Sequence, residues 1–204
     1  QLSIKGAVSF DLNTLPPYIR KFSIRKSGIV PADLSRFPLV SLKCYASLDL
    51  NRTMPQTLTR LECETPIEGV LQLPPKLRLL KLILRCPEKD LQAIVWNQVL
   101  SHLKLEVLDY QPINFTSLSH SITYLKCNGA VLEGMFSQLT HLHALHLVTC
   151  KMTTSLELPS SLKELHLLDT ATRVPLHPSL EVLIVRRGYM NDMFSLRWYR
   201  NPNG

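Results

Sequence analysis

The phrase Leu158-Pro-Ser-Ser-Leu162-Lys-Glu-Leu165-His-Leu167 recurs along this chain about every 20 residues. Versions of it start at Leu15, Met54, Leu73, Leu118 and Leu176, the first reading Leu15-Pro-Pro-Tyr-Ile19-Arg-Lys-Phe22-Ser-Ile24. Fixed-period self-similarity means a solenoid, because one such repeat cannot bury its apolar face alone. It also means that function is expected on an extended surface built from many repeats.

The middle apolar residue of each L-x-L core falls at Phe22, Leu42, Leu61, Leu80, Leu108, Leu125, Leu145, Leu165 and Leu183. Leu2-Ser-Ile4 supplies a further copy, so the chain is expected to begin inside a repeat. Two further copies, Leu105-Glu-Val-Leu108-Asp-Tyr110 and Leu142-His-Ala-Leu145-His-Leu147, lack the proline, as the Leu118 version does. Apolar residues two apart point to one side of a strand, and the residues between them face outward. The Leu-Pro lead-in reads as extended or turn-like, since proline disfavours helix in the residue before it.

One interval breaks the period. Between Leu80 and Leu108, about 28 residues apart, stand Cys86-Pro87-Glu88-Lys89-Asp90 and then Leu91, Ile94, Val95 and Val99. Proline and acids at the start, followed by an apolar face at helical spacing, predict a helix over Glu88 to Ser101. Its ordinary role is to cover the core, with a partner-binding protrusion as the alternative.

The L-x-x-L-x-L phrase resembles the leucine-rich-repeat superfamily over nearly the whole chain. The resemblance implies an α/β solenoid, with short parallel strands on a concave face and mostly extended or single-turn convex segments. It implies one domain over residues 1–204, of about ten repeats, missing a flanking cap or partner domain. In that family a polar residue after each strand bonds the following turn. The matching positions are Ser27, Ser47, Pro66, Arg85, Ile113, Ala130, Cys150 and Thr170, of which Ser27, Ser47, Cys150 and Thr170 can serve.

The chain has 204 residues, 45% of them hydrophobic, and no apolar run near the ~20 residues of a membrane helix. The sequence shows no basic-then-apolar leader, and a chain that begins inside a repeat is expected to lack its own N-terminus. Cys44, Cys63 and Cys127 stand where other repeats place Ile or Leu, so they read as buried thiols. A Cys44–Cys63 bridge is the alternative, because the two would be neighbours in the stack. No C-x-x-C or zinc spacing occurs. The sequons Asn51-Arg-Thr53 and Asn114-Phe-Thr116 are short enough to arise by chance. A reducing compartment, cytoplasmic or nuclear, is the expectation.

On the concave face the expected central column runs Ser23, Lys43, Glu62, Lys81, Asp109, Lys126, His146, His166 and Ile184. Its alternating charges between Lys43 and Lys126 would support one another by ~0.2–1 kcal/mol per pair. Glu62 and Asp109 would interrupt any positive stripe. Beyond Lys126 the face turns apolar, and the predicted partner-binding residues are Tyr124, Lys126, Asn128, His146, Val148, Glu164, His166, Leu168, Ile184 and Arg186. Grouped apolar residues on a solvent-facing sheet mark an interaction site. The alternative is that the tail, Tyr189 to Trp198, covers these strands.

His146 and His166 on adjacent strands invite a metal. Glu164 is near, but no motif supplies a third ligand, and no metal or cofactor is assigned. No nucleophile elbow, P-loop or glycine-rich fingerprint is present, so the chain is read as no enzyme. The expected ligand is a protein partner, and the formal charge of +7 suits an acidic one. The basic clusters Arg20, Lys21, Arg25, Lys26 and Arg186, Arg187, Arg197, Arg200 leave nucleic acid as the second reading. Membrane binding is not expected. The resemblance further implies either a substrate receptor of an F-box-type ubiquitin ligase, a bacterial effector ligase's recognition domain, or a scaffold subunit.

Overall fold

Apolar side chains at every second position, spaced one repeat apart, put a column of Leu behind each strand, and the computed structural model stacks these columns into β-solenoid. The structure describes residues 1–5, 15–25, 34–45, 54–64, 70–85, 87–116, 118–133, 136–153, 155–170, 172, 177–188 and 194–200. Ser27, Ser47, Pro66, Lys26, Cys86, Tyr189, Met193 and the sequon at Asn51 lie outside them. Two compact units divide the chain, residues 1–100 and 101–204.

In the first unit, β1 (Leu2–Lys5), β2 (Lys21–Arg25), β3 (Ser41–Tyr45), β4 (Arg60–Glu64) and then the strand Leu79–Leu84 pair in parallel. A two-residue strand, β5 (Leu71–Gln72), precedes that last strand, β6, in the chain. Phe22, Leu42, Leu61 and Leu80 form one buried row, and Ile24, Cys44, Cys63 and Leu82 form the next. Full burial of each such Leu is worth roughly 1.5–3 kcal/mol. Cys44 and Cys63 are register partners, buried, with no disulfide between them.

The sequence-predicted helix is much shorter than expected. Helix α1 spans Pro87–Gln92 and gives way to β7 (Ile94–Val95), which pairs with β5. The N–H of Leu71 bonds the Ala93 carbonyl at 2.7 Å, so that carbonyl points across to β5. Ile94 is buried but Val95 and Val99 are 51% and 47% exposed, so the four apolar residues do not share a face. Two β-branched residues side by side fit a pleated strand better than a helix. The Asn97 amide then donates to the Pro74 and Leu77 carbonyls and fastens the insert to the preceding turn.

In the second unit, β8 (His102–Val107) is followed by a short strand β9 (Pro112–Asn114), then β10 (Tyr124–Asn128) and β11 (Val131–Glu133). Next come β12 (Ala144–Val148), β13 (Lys151–Met152), β14 (Glu164–Leu168), β15 (Val182–Arg187) and β16 (Phe194–Tyr199). Strands β8, β10, β12, β14 and β15 form the parallel main sheet, and β16 joins β15 antiparallel. Strands β9, β11 and β13 make a separate return sheet.

Here the expected register fails at one repeat. Leu103, not Leu108, is the partner of Leu125, and Leu105 is the partner of Cys127. Leu108 to Tyr110 form a single 3-10 turn, with Asp109 at φ 63° and Tyr110 at φ 51°. Leu103, Leu105 and Val107 alternate as three buried residues, which outweighs the match of Leu105-Glu-Val-Leu108 to the repeat phrase. Lys104 therefore replaces Asp109 in the central column.

The proline phrase is a turn. Its carbonyl accepts the N–H of the apolar residue three positions on, as in Leu58 to Pro55 at 3.1 Å and Leu162 to Pro159 at 3.0 Å. Proline fits because that place needs no N–H. The residue just before the closing Leu often carries a hydroxyl. Thr57, Ser161 and Ser179 donate to the Leu39, Leu142 and Leu162 carbonyls of the preceding repeat, at 2.7–2.8 Å. After the strands, Gly129, Thr149 and Asp169 take positive φ of 72°, 49° and 48°. A Cβ at Gly129 would lie 2.6 Å from the Val107 carbonyl oxygen, so only glycine fits there. The Thr170 hydroxyl accepts the Cys150 N–H and donates to the Leu168 carbonyl. The Cys150 thiol contacts the Cys127 carbonyl at 3.4 Å.

Candidate functional site

Strand alternation in the second unit sends one set of side chains into the core and leaves the other on the open face of the main sheet. Register sorts that face into three rows. Tyr124, Ala144, Glu164 and Val182 form the first, Lys126, His146, His166 and Ile184 the second, and Asn128, Val148, Leu168 and Arg186 the third. All the sequence-predicted partner-binding residues thus share one face. Strand β16 lies beside β15, with Arg197 opposite Ile184, and extends the sheet edge. Phe194, Leu196, Trp198 and Tyr199 are themselves exposed, so the described part of the tail is not packed down over these rows.

Parallel register at ~4.8 Å brings like residues face to face. The His146 and His166 rings stack at 4.0 Å between centroids, with planes 10° apart. Tyr124 meets His146 edge-on at 4.9 Å, and its hydroxyl lies 3.2 Å from His146 Nδ1. Glu164 Oε1 sits 3.1 Å from His146 Nε2 and 2.7 Å from His166 Nε2. One carboxylate oxygen thus joins two imidazoles.

The surroundings hold both imidazoles neutral. Burial lowers the His146 pKa, reinforced by His166 and Lys126 and only partly offset by Glu164. Burial also lowers that of His166; Glu164 opposes this and Arg186 adds to it. The histidine–glutamate contacts are therefore charge-assisted hydrogen bonds from neutral rings rather than ion pairs. Burial, then the Glu164 charge, raises the Tyr124 pKa and keeps its hydroxyl protonated. Beside the cluster lies a hollow of about 210 Å³, floored by Leu147 and Leu167 and rimmed by Lys126, Val148, Ile184 and Arg186.

Two residues of this face escaped the sequence reading. His102 stacks on Tyr124 at 5.4 Å, and the Lys104 ammonium lies 5.8 Å from the centre of the Tyr124 ring. Both belong to β8, which the phrase match misplaced by five residues. The alternation His102-Leu103-Lys104-Leu105-Glu106-Val107 was the available signal.

The first unit's open face is chemically different. Glu62 is only 5% exposed and is reached by Lys43 at 2.9 Å, Lys81 at 3.3 Å and Arg60 at 3.9 Å, with the Tyr45 hydroxyl donating to Oε1. Burial alone would raise its pKa. The Tyr45 and Lys43 hydrogen bonds and the lysine charges overcome that and bring it down to about 2. A larger hollow of about 390 Å³ on this face is bordered by Lys21, Lys43 and Arg60. Two of those cations are already directed at Glu62.

Fold and face together define a class, a repeat protein of β-solenoid type with parallel strands and very little helix. No protein-family model and no curated protein sequence matches the chain. Among the described residues, no helix is long and apolar enough to cross a membrane.

Proposed function

We propose that this chain is a non-catalytic recognition module of leucine-rich-repeat type, and that the open face of β10, β12, β14 and β15 binds a protein partner. The observation that carries this reading is the apolar group of Val148, Leu168 and Ile184, spread over two adjacent rows of an open sheet face. Exposed apolar surface rimmed by charge suits a protein interface. Lys126 and Arg186 at its edge favour an acidic partner. A role as substrate receptor of an F-box-type ligase, or as a scaffold subunit, follows from the repeat class by analogy.

The test is capture with the wild-type chain and with Leu168→Glu/Ile184→Lys, which leaves the histidines in place, followed by binding of the purified partner. A discrete protein bound by the wild type and weakened at least about tenfold in the variant supports the face. Equal binding by both discards it.

One observation favours the second reading. With Lys104 in place of Asp109, Lys104 and Lys126 are register neighbours, so no acid interrupts that part of the column. A nucleic-acid ligand would be bound with steep salt dependence. Neutralising Lys104, Lys126, Arg186 and Arg187 would then matter more than the apolar pair.

A further inference from the structure

We propose that His146, Glu164 and His166 form a binding site for a divalent transition-metal ion of the zinc class, with His146 Nε2, Glu164 Oε1 and His166 Nε2 as its donors. The three donor atoms lie within 4.8 Å of one another. The two nitrogen-to-oxygen separations, 3.1 and 2.7 Å, need to open by less than about 1 Å to reach the ~3.3 Å edge of a tetrahedral zinc shell. Two imidazoles and one carboxylate make a donor set that suits zinc over magnesium or calcium.

Several features prepare the cluster. Each imidazole offers its Nε2 lone pair to the ion when its single ring proton sits on Nδ1. For His146 that tautomer is already matched by a partner, since Tyr124 Oη stands 3.2 Å from Nδ1 and can accept from it. The strands fix the spacing of the donors, with His146 and His166 in strict register and Glu164 in the adjoining row. The rings are nearly parallel, so a shared ion requires them to tilt toward each other about χ2. His146 is tethered at both nitrogens, so His166 makes most of that movement.

The chain supplies three donors, which leaves a fourth position for water or an incoming ligand. Lys126 and Arg186 at the neighbouring hollow make an anionic fourth ligand the fitting one. The site goes beyond the proposed partner binding and does not depend on it, because the ion is expected to bind the isolated chain.

Titration of the metal-free chain with Co2+, then displacement by Zn2+, tests it. One ion per chain is expected, giving visible d–d bands of low-coordinate nitrogen–oxygen ligation. His166→Gln and Glu164→Gln should each weaken binding at least about tenfold, while His143→Gln, at an exposed turn histidine, should not. Thermal melts followed by circular dichroism establish that each variant is folded, and Glu164→Gln changes no volume. Unaltered affinity in both ligand variants overturns the assignment. So does a thiolate charge-transfer band, which would move the ion to the cysteines, or the lack of any ion bound at micromolar concentration.

Discussion

Glu62 and Glu164 are two carboxylates on parallel strands, each bridging side chains from its own unit's sheet, and they do opposite things. Glu62 sits between two lysines, with a tyrosine hydroxyl added. It is buried, held ionised well below the usual carboxylate range and bonded by its neighbours, so it locks three strands together. Glu164 sits beneath two imidazoles that its environment keeps neutral, and its side chain is 40% exposed. Its bonds to the two rings are the ones that the proposed metal ion would replace. The identity of the neighbouring bases, one repeat away, separates a structural carboxylate from a responsive one.

That contrast depends on which residue of β8 stands beside Lys126, and the largest expected effect addresses it. Leu103→Ala should cost about 2–5 kcal/mol in denaturant melts, and Leu108→Ala clearly less. The reverse order would restore Asp109 to the column and set an opposite charge beside Lys126, as in the first unit.

Glu62→Gln comes next. Removing the charge leaves Lys43 and Lys81 facing each other, and a loss of order 2 kcal/mol at neutral pH is expected. Its pKa is depressed from 4.5 to about 2, so the folded state binds this proton later than the unfolded chain. The stabilisation is present above the unfolded value and is lost as pH falls from about 4.5 to about 2. Urea melts across that window should fall in wild type and stay flatter in Glu62→Gln. Parallel curves would remove Glu62 from its structural role.

The smallest effect belongs to the histidines. Their pKa values are lowered in the folded state, so the unfolded chain takes up protons first as pH drops through 6.5. Stability should therefore be complete above that value and decline below it, and a His146→Gln/His166→Gln chain should lose the decline. Proton titration of the imidazoles by NMR would report the same shift directly. Values at or above 6.5 would mean that Glu164 holds charged rings and that the two carboxylates are alike.

Much of this was legible in the repeat. The L-x-L positions from Phe22 to Leu80 and from Leu125 to Leu183 are the buried rows, because a strand's period of two leaves little freedom once one face must be dry. The cysteines at core positions and the outward histidines follow from the same parity. What the sequence hid lay where the repeat changed length. Between Leu84 and Leu103 no proline marks the turn before the strand, and a helical spacing and a strand pairing compete for Ile94 and Val95. Pairing with β5 decided it, and that is a long-range contact. Glu62's neighbours could be named from the column, but Tyr45 could not, since it comes from the row beside it. Glu164 was visible near the histidines; that a single oxygen reaches both depends on side-chain geometry.

The reversed strand β16 has a consequence for how such a chain can lengthen. Between β10 and β15 each strand offers the next the same slanted parallel bonding pattern, so a duplicated segment of about 20 residues can be spliced in with every turn intact. Beyond β15 that grammar stops. An antiparallel neighbour presents paired, perpendicular bonds that a further copy of the repeat cannot read. Growth of the array by tandem duplication, whether in evolution or by engineering, is thereby stopped at the β16 edge.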